Sequence, residues 1–270
     1  MPGDSHEVHT TGPVVPAAAC VPAPEFTLEQ GRYRVRFAHG AEDVDAALRL
    51  RFRVFNLEMG EGLDSSHATG RDRDPFDDCC HHLIVEDLST GEVVGTYRMQ
   101  TREMAVSARG FYTAGEFDLE TLPPAMLSAA VEVGRAAIDK QYRNRQVLFL
   151  LWKGLAAYMM HYGLRYLFGC CSLTTQDPLE GLRMLRYLIE RGHLHQEVHV
   201  APLPGLECVA AGEFAYNAEE VAVPILFATY LRYGAKICGP PAIDREFKTI
   251  DFFVVLDLRR LDPALHRLFF

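Results

Sequence analysis

The feature that most constrains this chain is a strand–loop–helix–strand–helix run between residues 130 and 191. Ala130-Val-Glu-Val-Gly134 reads as a short strand, a polar stretch follows, and apolar residues from Val147 onward form a helix. Tyr166-Leu-Phe-Gly-Cys-Cys171 is then a second strand, and Pro178 to Arg191 a second helix, with Asp177 before Pro178 as its N-terminal cap. Val147 to Tyr162 is the most apolar stretch, but Lys153 and Gly154 interrupt it and it is too short to cross a bilayer comfortably. It is therefore read as a buried helix.

Upstream, the pattern changes from helix–strand alternation to hairpins. Tyr33-Arg-Val-Arg-Phe37 alternates like a strand, and Asp43 to Phe55 carries apolar residues at helical spacing. His82 to Asp87 and Glu92 to Met99 flank the turn Leu88-Ser-Thr-Gly91 as a hairpin, and Ile250 to Leu256 is a late strand after a helix at Pro224 to Tyr233. Hairpins followed by alternating strands and helices predict an α/β protein with one mixed sheet. Residues 1–30, rich in Pro, Ala and Thr, are expected to be a flexible tail, and residues 31–270 a single domain.

Charge and cysteine usage narrow the class of function. The net charge of −9 excludes a surface built to hold nucleic acid. Yet residues 140–176 contain no Asp or Glu, while Lys140, Arg143, Arg145, Lys153 and Arg165 all fall there, so an anionic ligand at one face is one reading and a charge-poor core helix the other. Seven cysteines, an odd number with two adjacent pairs, make a poor disulfide framework and fit a reducing, cytoplasmic setting. The first residues carry acid rather than the basic start of a secretory signal.

Four local patterns carry potential chemistry: Arg51 with Phe55 (R-x-x-x-F), Asp74 with Asp77 (D-x-x-D), Arg98 on a strand, and Glu132 with Arg135 (E-x-x-R). With the segments LRLRFRVFNLEMG, RDRDPFDDCCHHLIV, VVGTYRM, GFYTAGEFDL, VEVGRAAIDKQYRNRQVLFLLWKGLAAYM, FGCCSL and PPAIDREFKTIDFFVVLDL, they give a chain that resembles the ornithine-lipid-type Nα-acyltransferases, once labelled hemolysin-like. That family belongs to the acetyltransferase-like (GNAT) superfamily and is related to acyl-homoserine-lactone synthases and N-acyl amino acid synthases. The resemblance runs from Tyr33 to the C-terminus. It implies a GNAT-like fold, a central mixed, mostly antiparallel sheet flanked by helices. It further implies transfer of a long-chain fatty acyl group, with or without a 3-hydroxyl, from acyl carrier protein to the α-amine of ornithine or a similar amino acid, toward an aminolipid. The alternatives are a synthase of N-acyl amino acids or acyl-homoserine lactones, and a non-catalytic acyl- or carrier-binding module. The tryptophan that the lactone branch carries after the first helix is absent.

The chain departs from coenzyme-A-dependent acetyltransferases at the pyrophosphate loop, where Gln141-Tyr-Arg-Asn-Arg145 has no glycine. Glycines let backbone N–H groups close around a pyrophosphate at a helix N-terminus. Arginine and lysine side chains still meet a single phosphate. Lys140, Arg143, Arg145 and Lys153 are accordingly the expected donor-binding residues, for the phosphopantetheine and acidic surface of a carrier protein in preference to acyl-CoA. Amide formation needs an unprotonated amine and support for the oxyanion, with no metal and no covalent intermediate. Glu132 is the candidate proton acceptor, with Arg135 beside it. Asp74 and Asp77 are candidates to orient an ammonium, and Arg98 or Arg135 to face a carboxylate. Arg51 and Phe55 complete the expected substrate-binding set, and backbone N–H groups near Val133–Arg135 would hold the oxyanion. A structural reading stands beside this one: Glu132 and Arg135 as a buried ion pair, and Arg51 locked through Asp74 or Asp77. Phe55, Phe111 and Tyr112 line an acyl tunnel in the functional reading and pack the core in the structural one. Cys79-Cys-His-His82 is not a zinc site, because consecutive residues of an extended segment point to opposite faces. A lipid product allows peripheral membrane contact without requiring it.

Overall fold

The computed structural model describes residues 21–270. Of the tail expected over residues 1–30, residues 1–20 lie outside the described residues. The last four, Thr27–Gln30, are not tail but strand β1, because their backbone completes a hairpin with β2 (Tyr33–Phe37) across a turn at Gly31. Helix α1 (Ala41–Phe52) follows, with Glu42 and Asp43 in its first turn and Arg49 and Arg51 in its last, the signs a helix dipole favours. It runs on as a π-helical segment, Arg53–Met59, that ends at Gly60 in the left-handed conformation. The expected hairpin is β3 (His81–Asp87) and β4 (Glu92–Thr101). Two short helices, α2 (Arg102–Ser107) and α3 (Pro124–Ser128), precede β5 (Ala130–Ile138).

The run that constrained the sequence then appears in order: α4 (Arg145–His161), β6 (Tyr166–Leu173) and α5 (Pro178–Glu190), the last capped by Asp177 as expected. Helix α6 (Ile225–Arg232), β7 (Lys236–Ile237), β8 (Ala242–Asp244), β9 (Thr249–Asp257) and α7 (Pro263–Phe269) complete the chain. The nine strands among the described residues form one sheet in the order β1-β2-β3-β4-β5-β6-β9-β7, with β8 also on β9. Only the β5–β6 pair is parallel. The expected mixed, mostly antiparallel sheet is thus observed.

Alternation along the strands divides the core. Val35, Leu83, Val85, Tyr97, Met99, Val131 and Val133 face α4, while Ile84 and Ala137 face α1 with Leu50 and Val54. Burying each such aliphatic side chain contributes about 1.5–3 kcal/mol. Gly154 explains why the apolar helix is broken by a glycine: a Cβ there would come within 2.5 Å of Leu83, so its absence lets α4 press onto β3. On β9 the same alternation places Phe252, Val254 and Leu256 on the α4 side, and Phe253 and Val255 on the other.

Candidate active site

The parallel pair of strands is the weak point of the sheet, and the candidate site forms there. β5 and β6 are in register only from Ala130–Tyr166 to Glu132–Phe168. Beyond that, β5 stays with β4 and β6 with β9, so the sheet splits. At the start of the split Gly169 lies under the Val133 carbonyl, where a Cβ would sit 2.1 Å from the oxygen. A cavity of about 590 Å³ fills the split and continues through the sheet. Arg98, Tyr112, Glu132, Arg135 and Asp251 line it on one face, and Leu148, Leu151, Leu167, Phe227 and Tyr230 on the other.

Arg135 reaches the polar face through backbone strain. The β4–β5 register slips by one residue, Thr96 opposing Ala137 but Arg98 opposing Gly134. In an unbroken strand Arg135 would share the face of Val131 and Val133, under α4. In the bulge it adopts φ 51°, and its side chain turns to the opposite face. A non-glycine residue held there costs about 1–3 kcal/mol, offset by the contacts the turned side chain makes. Its guanidinium lies 4.0 Å from the ring centre of Phe247 and 4.8 Å from that of Tyr112.

Those contacts belong to a buried cage of three arginines and three aspartates. Arg51 donates to Asp72 at 2.8 Å and to both oxygens of Asp77 at 2.6 and 3.2 Å. Arg98 bridges Asp74 at 2.6 Å and Asp77 at 3.0 Å, and Arg135 donates to Asp74 at 3.0 Å. Burial alone would raise the pKa of Asp77, but the guanidinium groups of Arg51 and Arg98 outweigh it and hold the carboxyl well below its usual range. The expected lock between Arg51 and Asp77 is therefore present. Arg98 and Arg135 line the cavity, whereas Arg51, Asp74 and Asp77 stand behind them with their polar atoms turned into the cage. Asp72, fully buried in the same cage, was not singled out in the sequence.

Glu132 lines the cavity but does not pair with Arg135. Its Oε1 accepts from the Thr113 N–H at 2.8 Å and the Thr113 hydroxyl at 2.7 Å; its Oε2 accepts from the Tyr112 N–H at 3.0 Å and from Gln100 Nε2. Two donors on each oxygen fill the accepting positions of a carboxylate. The geometry thus gives Glu132 the role of anchoring the loop at residues 110–115 against β4 and β5. Phe55 lines the cavity and meets Phe247 edge to face with ring centres 5.2 Å apart. Tyr112 also lines it, while Phe111 packs on Phe168 in the core.

Across the split, three carboxylates gather that the sequence did not point to as a group: Glu61, Glu116 and Asp251, each less than 10% exposed. Glu61 accepts from the Thr174 hydroxyl. Burial raises the pKa of all three, and Asp251 raises those of Glu61 and Glu116 further. Burial, reinforced by Glu116, likewise keeps the Cys170 thiol protonated, which removes it as a nucleophile. Among the described residues Glu116, Cys170 and Asp251 do converge closely enough to invite a metal reading, unlike Cys79-Cys-His-His82. His81 bonds the Tyr158 hydroxyl and the Val21 carbonyl, and His82 donates from Nε2 to the Asp77 carbonyl at 3.2 Å.

The basic segment is distributed differently from its sequence. Arg143 lines the cavity mouth but makes a two-pronged pair with Glu58 at 2.7 and 2.8 Å, and Arg165 does the same with Asp257. The Lys153 ammonium lies on the Phe269 carbonyl at 3.3 Å, away from the cavity. Arg145 lines the mouth, and Lys140 stands exposed in a short turn before it. At the N-terminus of α4 the Asn144 side chain already accepts from the N–H groups of Gln146 and Val147, so fewer remain for a phosphate.

A family model described as "Acetyltransferase (GNAT) domain" matches residues 50–153, a span that holds the cage, β3 to β5 and the first half of α4. The L-ornithine N(alpha)-acyltransferase of Brucella abortus (strain 2308) is 32% identical over 242 residues, covering 86% of this chain and 86% of its own length. The enzyme of the same name from Rhizobium meliloti (strain 1021) is 29% identical over 265 residues, covering 94% of this chain and 90% of its own. That of Agrobacterium fabrum (strain C58 / ATCC 33970) is 32% identical over 237 residues, covering 84% and 81%.

Proposed function

The chain belongs to the family of the L-ornithine N(alpha)-acyltransferases and is an acyltransferase, and from that premise we propose that it moves a long-chain fatty acyl group from acyl carrier protein to the α-amine of ornithine. The observation that carries this reading is the single cavity that joins a charged face of the sheet to an apolar one. The thioester carbonyl would lie in the split, its acyl chain between α4 and α6, and the amine on the polar side. Past Val133 the edge of β5 toward β6 has no strand partner, which leaves backbone N–H groups at the bulge to receive the developing oxyanion. The amine nitrogen attacks the carbonyl carbon, the tetrahedral adduct collapses, and the carrier thiol leaves with the proton that the amine sheds.

Since Glu132 is committed to four hydrogen bonds, Glu61 is the proton acceptor we assign. It lines the cavity, makes one hydrogen bond, and is brought by burial toward the pKa range a base near neutral pH requires. Arg145 at the mouth and the exposed Lys140 before it are the residues that would meet the carrier's phosphate and acidic surface, and no helix among the described residues is long and apolar enough to cross a membrane. The test is turnover of 3-hydroxylated and plain acyl thioesters, on carrier protein and on coenzyme A, with a panel of amines read by mass spectrometry. Ornithine amide from the carrier donor is expected, with Glu61→Gln lowering kcat by about 10²–10⁴-fold. Absence of an amide from every donor and amine overturns the reading; a kcat/KM for the coenzyme A donor equal to that for the carrier overturns the carrier assignment.

A further inference from the structure

We propose that Asp251 and Glu116, beside Glu61 on the side of the split away from the arginine–aspartate cage, form a subsite that binds the side-chain ammonium of the acceptor and thereby directs acylation to its α-amine. This rests on the proposed function and deepens it. The cage on the other side of the split is balanced, three arginines against three aspartates. The acids here have no such pairing: among the described residues no arginine, lysine or histidine lies within 4.0 Å of the carboxylates of Glu61, Glu116 or Asp251, and Arg135 exerts only a weaker pull on Glu61 and Glu116 from farther off. Their polar atoms are also left over. Asp251 is 4% exposed and lines the cavity with Oδ1 unpartnered, and Glu116 is 6% exposed with Oε1 unpartnered.

Buried carboxylate oxygens without donors are costly unless a ligand completes them. The ligand that suits them brings positive charge, because only a cation offsets the repulsion that arises when neighbouring carboxyls ionise together. An ammonium supplies that charge, its N–H donors shared between Asp251 and Glu116, which leaves Glu61 to serve the α-amine. Burial and mutual repulsion raise the proton affinity of both acids, against a smaller pull from Arg135 on Glu116, and a bound cation would lower it.

The subsite also gives regioselectivity a physical cause. An amine held as ammonium has no lone pair, so the end of a diamino acid seated among the acids cannot attack the thioester. The other amine, at the bulge, can. A second acidic group in place of the side-chain amine, or none at all, would leave the site unfilled.

The test compares ornithine with norvaline, which has the same carbon skeleton and lacks the side-chain amine, in wild type, Asp251→Asn and Glu116→Gln. Binding is measured by calorimetry without donor, and turnover with donor, with the acylated nitrogen assigned by tandem mass spectrometry. Wild type should prefer ornithine by at least about 10²-fold in both Kd and kcat/KM, with product on the α-nitrogen. Asp251→Asn, which keeps shape and relieves repulsion, should melt no lower than wild type, narrow the preference to under tenfold and let Nδ product appear. Equal binding of ornithine and norvaline to wild type overturns the subsite, as does an Asp251→Asn preference still at the wild-type ratio. If no amine is acylated but ornithine binds in preference to norvaline and loses that preference in Asp251→Asn, the subsite holds and the transferase reading falls.

Discussion

Gly169→Ala tests whether the split between β5 and β6 makes the site. The added Cβ would stand 2.1 Å from the Val133 carbonyl oxygen, where separations under 3.0 Å are essentially never seen. The two strands must therefore part by close to 1 Å at the point where the parallel ladder ends. The neighbour is backbone, held on its far side by β4, so no side chain can rotate to relieve the contact. Overpacking of this kind costs about 1–3 kcal/mol. For a chain of this size that is a Tm fall of roughly 2–12 °C. The bulge N–H groups ride on the displaced strand, and a misplacement of about 1 Å can cost about 10²-fold in turnover. Differential scanning fluorimetry and steady-state acylation on the same preparation read both effects. Gly212→Ala, where an added Cβ meets nothing within 4 Å, is the control and should change neither. A Gly169→Ala protein with wild-type Tm and kcat would refute the account of the split.

Arg51→Met removes the cation shared by Asp72 and Asp77 inside the cage and should cost about 3–5 kcal/mol, read as a shift in the urea midpoint with an unchanged m-value. A shift below about 1 kcal/mol would show that the cage does not hold the fold. Glu132→Gln turns an amide N–H₂ toward donors that had faced a carboxylate, so a loss of about 1–3 kcal/mol and protease sensitivity at residues 110–115 are expected, with the pH profile of kcat unmoved. A large fall in kcat at unchanged Tm would instead make Glu132 the base. Acid should destabilise the protein through His82, whose burial lowers its pKa to about 4, while an unfolded histidine titrates near about 6.5. Between those values the unfolded chain holds more protons, so stability falls by about 3 kcal/mol as pH drops through the window. Asp77, with its pKa lowered, adds a further loss as pH falls through the range where a free aspartate protonates and on toward its own lowered pKa. Since Glu61, Glu116 and Asp251, with raised pKa values, act in the opposite sense, the check is the difference between wild type and His82→Gln, and a urea midpoint with the same pH 7 to pH 4 dependence in both would refute the assignment.

How much of this was legible follows from which interactions are local. The elements that carry a period of their own, β2, α1, the β3–β4 hairpin, α4, β6 and β9, were readable, because a helix or strand face must be apolar at fixed spacing. β1, β7 and β8 were not, since two to four residues are too few for a period and their pairing depends on a neighbour far along the chain. The run of β5 past Gly134 was missed for a related reason. The bulge at Arg135 inserts one residue and breaks the alternation that would have marked a nine-residue strand.

The site divides along the same line. Arg51, Arg98, Arg135, Asp74 and Asp77 stood out as motifs, yet which carboxylate each arginine meets depended on a register slip that no spacing encodes. The basic run from Lys140 to Arg165 showed why a local charge count misleads: Glu58 and Asp257, distant in sequence, pair with Arg143 and Arg165, and only tertiary structure decides which cations stay exposed. Of the three acids across the split, one did leave a signal. Asp251 interrupts Ile250 to Leu256, an otherwise apolar strand, and a buried acid on a central strand needs either a partner or a ligand. Glu61 and Glu116 sit in loops whose sequences look solvated, yet both are buried, Glu116 beside Cys170 of β6 and Asp251 of β9, and Glu61 against Thr174. The distinction between the two sides of the split is thus one of balance. Where arginines pair directly with the aspartates the charges hold the fold, and where no cation pairs directly with the carboxylates they are available to one from outside.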